Sequence, residues 1–122
     1  MGKKADEYLA SRVNSVIGKG TEFEGTLRTK ETVRIEGTVK GNIISEGTLI
    51  IGNGGYVDGR IEAKNILIGG EAHGELFATE RIEANSSGRI FANLHTKNLI
   101  VDEQALFQGT CEMNREEKKT EE

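Results

Sequence analysis

The sequence predicts an all-β protein, a right-handed parallel β-helix of about six turns with about 17 residues in each turn. Three observations predict this fold: a strand-like alternation of apolar and polar residues, its return at a nearly constant interval, and a small residue at the centre of each copy. The clearest copy is Val57–Ala63, where apolar or small residues alternate with charged ones, as in a strand with one dry face. A repeat this short and rich in strands does not fit a helical solenoid. Strand twist and the crossover rule favour a right-handed coil.

Six copies of this motif follow one another at steps of 15 to 18 residues. Their central small residues are Gly25, Gly41, Gly59, Gly74, Ala92 and Gly109. A second motif of two inward residues keeps the same period and starts at Val16, Val33, Leu49, Ile66, Ile82 and Leu99. When the turns are stacked, these starts form one apolar column, and a second column is Leu27, Ile43, Ile61, Leu76, Leu94 and Cys111. We expect the small residues to fill a tight part of the interior, where opposite walls approach.

Turn-forming residues separate the predicted strands. They are Gly20, Gly37, Asn53–Gly55, Gly69–Gly70, Asn85–Gly88 and Asp102–Glu103. The Gly-rich corner around Asn53–Gly55 is followed neither by Lys-Ser or Lys-Thr nor by a predicted helix, so it does not indicate a nucleotide-binding loop.

The β-helix domain is predicted to span residues 16–113, between two tails. Residues 1–15 carry a helical spacing of apolar residues beside basic ones, which leaves two interpretations open, a flexible tail or a membrane contact. The contact would involve Lys3, Lys4, Tyr8 and Leu9. Residues 114–122 contain charged and polar residues only and are predicted to be disordered.

Charge and cysteine content restrict the functions that this chain of 122 residues can have. With 16 basic and 20 acidic residues, its net charge of −4 argues against nucleic acid as a partner. Its single cysteine, Cys111, cannot form an internal disulfide, and no apolar run resembles a signal peptide, which predicts a cytoplasmic protein. In its column, Cys111 is expected to be a small buried apolar residue rather than a nucleophile or a ligand.

The polar residues do not predict an active site. The only two histidines, His73 and His95, are expected to point outward from different columns, which argues against a catalytic pair or a shared metal. The outward carboxylates alternate with basic residues and are expected to form charge ladders between turns. These residues are Asp58, Glu62, Glu75 and Glu83 with Lys40, Arg60 and Arg81. We therefore predict no enzyme, no cofactor and no metal site.

The two ends of the β-helix are the strongest functional signal. A solenoid without caps exposes unpaired backbone groups and an open apolar core at its first and last turns, and such edges pair with other chains. Phe23 and Phe107 occupy the same column in the first and last turns, where aromatic rings can bury a large area against another subunit. The sequence thus predicts end-to-end polymerisation. The predicted interface is Phe107, Phe23, Val16, Leu99, Cys111 and Met113. The alternative is a monomer whose tails fold over both ends.

An outward column beside the first inner one is also rich in aliphatic residues. Its members are Ile17, Arg34, Ile50, Leu67, Glu83 and Ile100. Ile17, Ile50, Leu67 and Ile100 could join filaments laterally or bind a partner, or they could simply reflect strand propensity. The alternative function for the chain is accordingly a monomeric or small-oligomer β-helix binding module that uses this stripe.

Four segments carry a resemblance to a known family: Val16–Thr21 (VIGKGT), Val33–Ile43 (VRIEGTVKGNI), Val57–Ile61 (VDGRI) and Phe107–Cys111 (FQGTC). With this register over six turns, the chain resembles the bactofilins, bacterial polymer-forming cytoskeletal proteins. The resemblance implies a compact right-handed β-helix with flexible tails that forms non-polar filaments without nucleotide. It also implies that terminal aromatic or aliphatic residues, here Phe107, make the end contacts. Many members attach to the inner membrane through the N-terminal tail and act as scaffolds in cell shape and in positioning cell-wall-modifying enzymes.

Overall fold

A computed structural model describes residues 15–113, which form nine strands, with no helix among them, wound into one parallel β-solenoid. The strands are β1 (Ser15–Ile17), β2 (Glu22–Thr29), β3 (Val33–Ile35), β4 (Thr38–Ser45), β5 (Thr48–Ile51), β6 (Tyr56–Ile68), β7 (Glu71–Ala84), β8 (Arg89–Val101) and β9 (Leu106–Met113). Every pairing between neighbouring turns is parallel, and aligned residues lie 15 to 18 positions apart. The predicted all-β solenoid of about six turns is confirmed.

Each turn contributes to two walls. The first wall consists of β1, β3, β5 and the C-terminal parts of β6, β7 and β8. The second wall consists of β2, β4, the N-terminal parts of β6, β7 and β8, and β9. The three long strands β6, β7 and β8 run through both walls, so in the middle of the molecule one continuous strand makes most of a turn.

The core runs along the solenoid axis and is made of alternate, inward-pointing residues. The column from Leu27 to Cys111 is aligned as predicted, and its four middle members are completely buried. The column of the first wall is aligned from Val33 to Leu99. Each fully buried Leu or Ile contributes about 1.5 to 3 kcal/mol relative to an exposed one, so these stacked columns supply most of the favourable free energy of folding.

The first turn differs from the prediction by one residue. Ile17 pairs with the buried Ile35, whereas Val16 pairs with the outward Arg34 and is 58% exposed. The reason is the turn that follows, in which the Thr21 N–H donates to the Gly18 carbonyl over 3.1 Å. Gly18 therefore begins a corner and is not the last inward residue of a strand. The predictions that Val16 points inward and Ile17 outward are both wrong.

The column of small residues is confirmed, but its physical cause is not an approach of opposite walls. Five of its six members are glycines with positive φ, between +109° and +147°. A Cβ on Gly59 would overlap the carbonyl oxygen of Gly41 in the preceding turn, and Gly41 stands in the same relation to Gly25. The glycines thus mark a bend of the second wall at which backbone lies against backbone. Ala92, the exception, has a negative φ and a buried side chain.

Corners that lead from the first wall to the second have two lengths. Corners of four residues at 18–21, 52–55, 85–88 and 102–105 each close with a hydrogen bond from their fourth N–H to their first carbonyl, of 2.8 to 3.1 Å. Corners of two residues, at 36–37 and 69–70, lie beside a longer corner. A Cβ on Gly37 or Gly70 would overlap a carbonyl oxygen of that neighbouring corner. The predicted corner positions are confirmed. The change in their length, together with the register shift between Ala78 and Arg81, accounts for most of the uneven repeat.

Candidate polymerisation interface

The two ends of the solenoid are formed by edge strands. At the first end, β1 pairs only with β3 and β2 only with β4. At the last end, β9 pairs only with β8, and the final part of β8 pairs only with β7. In a parallel sheet each strand directs its N–H and C=O groups alternately to its two neighbours, so half of the groups of an edge strand have no strand to bond. Within residues 15–113, both ends therefore present free pairing edges.

The burial of the core columns falls at both ends. The middle members of these columns, such as Ile61 and Leu76, are 0% exposed, but the members in the first and last turns are only partly buried. Those terminal apolar residues are Ile17, Phe23 and Leu27 at the first end and Leu99, Val101, Ala105, Phe107 and Cys111 at the last end. Among the residues that the structure describes, the core is open at both mouths. Each end of the described solenoid could therefore accept a further strand and bury further apolar surface.

Phe23 and Phe107 lie where the sequence places them. They are the two terminal members of one column whose inner members are Val39, Val57, Ala72 and Ile90, all fully buried. The column therefore has its two largest side chains at its two ends. Because both rings are only partly covered by their own chain, each retains apolar surface for a neighbour.

Of the other residues predicted for the interface, three lie at the last end of the solenoid and one points away from the core. Leu99 and Cys111 point inward in the last turn, and Met113 is 40% exposed beside them, with its Sδ 3.6 Å from the Cys111 Sγ. Val16 points away from the core. Cys111 points inward but is only partly buried, since no described turn covers it, so the expectation of a buried residue is wrong in extent. Burial nevertheless raises the pKa of its thiol, which stays neutral and apolar at neutral pH.

Sequence reasoning missed four members of the end surfaces. They are Ile17 and Leu27 at the first end and Val101 and Ala105 at the last end. Leu27 was already recognised as the first member of an inner column, so its terminal position in that column was the signal that could have found it. Leu106, 38% exposed at the start of β9, adds apolar surface next to Phe107.

The outward stripe is also present, with one change of membership. Arg34, Ile50, Leu67, Glu83 and Ile100 form one continuous column on the outside of the first wall. The first member of the column is Val16 and not Ile17, because Val16 is the residue that pairs with Arg34. Val16 and Ile100 are 58% and 48% exposed, and Ile50 and Leu67 are partly exposed between them.

The histidines belong to two different outward columns, as expected. His73 stacks on Phe91, with ring centroids 5.0 Å apart, and His95 stacks on Phe77 at 4.3 Å. Arg60 also lies over the Phe77 ring, with its guanidinium carbon 4.2 Å from the centroid. Stacking between turns thus explains the outward positions of Phe77, Phe91 and the two histidines.

The charged residues pair mostly along strands. Arg34 with Glu36, Arg60 with Glu62 and Arg81 with Glu83 are two residues apart in sequence, with N–O distances of 2.6 to 3.6 Å. Between turns, Arg60 lies 3.9 Å from Glu75, and the ring nitrogens of His95 lie 2.9 Å from Glu112 and 3.6 Å from Glu75. The predicted charge ladders are therefore only partly cross-turn, because side chains on the same face of one strand reach each other first.

The predicted membrane contact, through Lys3, Lys4, Tyr8 and Leu9, and the predicted disordered end at 114–122 lie outside the described residues. Within residues 15–113, no helix has the length and apolar character required to cross a bilayer.

The family of the chain is decided by a match to a family model described as bactofilin, polymer-forming cytoskeletal, over residues 15–112. The chain belongs to the bactofilin family. Two similar proteins are the bactofilins BacO and BacP of Myxococcus xanthus. Identity to BacO is 29% over 105 residues, 86% of this chain and 83% of BacO. Identity to BacP is 29% over 100 residues, 82% of this chain and 42% of BacP.

Structures of a third bactofilin, from Thermus thermophilus, share this fold. One is a cryo-EM reconstruction of double helical filaments, with a TM-score of 0.78 and 37% identity over 82% of this chain and 99% of the other. A second is a crystal structure of a phenylalanine-to-arginine mutant, with a TM-score of 0.68 and 38% identity over 72% of this chain and 98% of the other. The family resemblance drawn from the sequence is thus confirmed.

Proposed function

We propose that this bactofilin is a structural protein whose subunits join end to end into filaments, without nucleotide, inside the bacterial cell. The observation that carries the proposal is the open core at both ends of the described solenoid, with Phe23 and Phe107 as partly covered aromatic members. Filaments of the Thermus relative support it, since that protein has the same solenoid fold.

Joining two ends would supply what the terminal turns lack, which is backbone hydrogen bonds at the edge strands and full burial of the apolar side chains. Edge strands of two subunits can continue the parallel or antiparallel ladder, which satisfies the free N–H and C=O groups. The partly buried side chains would become fully buried, and each large apolar side chain contributes about 1.5 to 3 kcal/mol when it is removed from water. Several such residues at each end supply enough free energy to offset the loss of subunit freedom on association.

Independence of nucleotide is supported by how the Gly-rich corner is used. In the corner at 52–55, the Gly55 N–H already donates to the Gly52 carbonyl at 2.8 Å, and the Tyr56 N–H donates to the Gly37 carbonyl. Backbone donors that close the corner and bond to the neighbouring turn are not free to cradle a phosphate. Assembly driven by the apolar ends needs no such ligand.

In the cell, we propose that the filament is a scaffold for cell shape or morphogenesis. We propose that the filament binds cell-wall-modifying enzymes and positions them. We also propose that its N-terminal tail attaches it to the inner face of the membrane. A rigid rod with repeated outward columns presents the same surface once per subunit, which suits a scaffold better than a catalyst.

A monomeric or small-oligomer binding module remains the alternative, and it predicts particles whose size does not increase with protein concentration.

The proposal is tested by changing one end without changing the fold. Phe107→Arg would place a charge in the end contact without a partner, and we expect it to abolish filaments. Phe91→Arg is the matched control, since Phe91 points outward in an interior turn next to the same column. Negative-stain electron microscopy of both variants, with circular dichroism to verify the fold, should show filaments only for Phe91→Arg. Filaments from a folded Phe107→Arg variant would refute the end contact.

A further inference from the structure

The outward stripe of the first wall has a charge pattern that is antisymmetric about its centre. In order along the solenoid axis it reads Val16, Arg34, Ile50, Leu67, Glu83 and Ile100. Two aliphatic residues form the centre, an arginine and a glutamate lie at equal steps on either side, and an aliphatic residue closes each end. A stripe of this composition is complementary to its own reverse.

We propose that this stripe, from Val16 to Ile100, is a lateral interface at which a second copy of the chain binds in the antiparallel orientation. The two-fold axis would pass between Ile50 and Leu67 and would be perpendicular to the solenoid axis. Ile50 of each copy then faces Leu67 of the other, and Arg34 faces Glu83. Such an isologous contact needs only one surface and closes on itself.

The parallel orientation is disfavoured by the same charges. If two stripes met side by side in the same direction and register, Arg34 would face Arg34 and Glu83 would face Glu83. Like charges opposed in a desolvated contact cost several kcal/mol, so the pattern selects against this arrangement. Electrostatics here sets the orientation, and the apolar residues supply the attraction.

The surroundings of the stripe permit close approach. Gly52 and Gly69 flank its centre on one side, and Thr48 and Asn65 flank it on the other, so these neighbours carry no charge. The Arg34 guanidinium leans over Gly52, where an added Cβ would lie 3.4 Å from Nη2. The centre is therefore a shallow groove with Ile50 and Leu67 on its floor, Arg34 at one end and Glu83 at the other.

The charges at the groove ends are available to a partner. The side chains of Arg34 and Glu83 are 42% and 41% exposed, although each already has an ion-pair neighbour on its own strand. Pairs at this exposure are screened by solvent and contribute little to folding. Closing the groove with a second copy would remove that screening and strengthen the Arg34–Glu83 attraction between copies.

The size of the stripe implies that one contact alone is weak. Neighbouring strands lie about 4.8 Å apart, so six turns make the stripe about 24 Å long, and four to five strand residues make it roughly 15 Å wide. The area, roughly 350 Å² per copy, is less than half of the ~800 Å² per partner in a stable dimer. The inference therefore rests on the proposed function, because subunits joined in a filament add many such contacts and gain avidity.

A charge-swap series tests the interface. Wild-type filaments are expected to pair laterally, and Arg34→Glu or Glu83→Arg alone should give separate single filaments of about half the width. The double variant should recover pairing, since its two exchanged side chains would again place opposite charges face to face across the contact. Recovery cannot reflect repaired folding, because the double variant still places like charges at 34 and 36 and at 81 and 83. Paired filaments from either single variant, or no recovery in the double variant, would overturn the proposal.

Disulfide cross-linking tests the same contact without filaments. In a Phe107→Arg and Cys111→Ser background, subunits carrying Ile50→Cys are mixed with subunits carrying Leu67→Cys and oxidised at high concentration. Mixed disulfides between the two variants should exceed those formed by a Phe91→Cys control. A preference for Ile50→Cys with itself, or no excess over the control, would refute the antiparallel pair even if end-to-end assembly were correct. Absence of wild-type filaments together with mixed disulfides would instead refute only the proposed function.

Discussion

Individual glycines are required in the second wall and in the corners, for two separable reasons. Gly59 has a φ of +145°, and a Cβ there would overlap the Gly41 carbonyl oxygen. Gly54 has a φ of +95°, but a Cβ there would meet nothing within 4 Å. The first position forbids a side chain by conformation and by contact, and the second by conformation alone.

The two glycines therefore predict different losses on substitution. Gly54→Ala should lower the free energy of unfolding by about 1 to 2 kcal/mol, the cost of a left-handed backbone at a residue with a side chain. Gly59→Ala should lower it by more than about 4 kcal/mol, because two stacked turns must also separate. Urea unfolding in the Phe107→Arg background, which keeps assembly out of the measurement, gives both values. Equal losses would show that the backbone overlap is unimportant.

Cys111 predicts a pH dependence of stability. Because burial raises the pKa of the Cys111 thiol, the folded chain keeps this proton at a pH where the unfolded chain loses it. The stabilisation is complete below the ordinary thiol pKa, about 8.5, and is lost as the pH rises above it. Between about pH 7.5 and pH 9.5, the melting temperature of the wild type should fall more than that of Cys111→Val. If the melting temperatures of the two proteins changed identically with pH, the claim that burial raises the pKa of the Cys111 thiol would be contradicted.

At the residue scale, the sequence correctly predicted every inner column between the second and fifth turns. Alternation has a strict period of two, and each of these turns has a neighbouring turn on both sides to fix its register. The first turn has a neighbour on one side only. There, Val16 and Ile17 are both aliphatic, and composition could not decide which of them points inward; only the turn that begins at Gly18 does.

The terminal turns differ from the interior turns in what covers them. Leu27 and Leu76 occupy the same inner column, but Leu76 lies between two turns and is fully buried, whereas Leu27 lies in the edge strand β2. The subunit alone stabilises Leu76 completely and Leu27 only in part. The remaining burial of Leu27 would come from the next subunit.

This difference predicts opposite effects of two matched substitutions. Leu76→Ala should cost about 2 to 5 kcal/mol of subunit stability, as for a buried leucine that leaves a cavity. Leu27→Ala should cost the subunit less than half of that, yet raise the critical concentration for assembly at least about tenfold, equivalent to about 1.4 kcal/mol. Thermal unfolding and pelleting assays measure the two effects. A Leu27→Ala variant that assembles like the wild type would indicate that the first end makes no contact.

At the element scale, the positions of the corners could be read from Gly, Asn, Ser and Asp, but their lengths could not. Corners of four residues contain a complete β-turn, whereas the corners at 36–37 and 69–70 depend on a neighbouring corner against which their glycine packs. That support comes from another turn of the solenoid and has no local signature. The small-residue column was misinterpreted for the same reason, since its close contact is with the preceding turn.

At the scale of the whole molecule, the described solenoid is a sheet with two unused edges and a core with two open mouths. The sequence predicted the fold, the family and the two terminal phenylalanines because all of these follow from the repeat. Which further side chains are exposed at the ends depends on where the pairing stops. That position depends on the register of every turn.

Hydrogen–deuterium exchange gives the most direct test of the open ends. Filaments of the wild type should be compared, amide by amide, with subunits kept apart by Phe107→Arg. If ends join, new protection should be confined to the terminal turns, residues 15–29 and 99–113, since amides in the interior turns are already paired. Unchanged exchange in both terminal turns of the assembled protein, or protection gained only in the interior turns, would contradict the account.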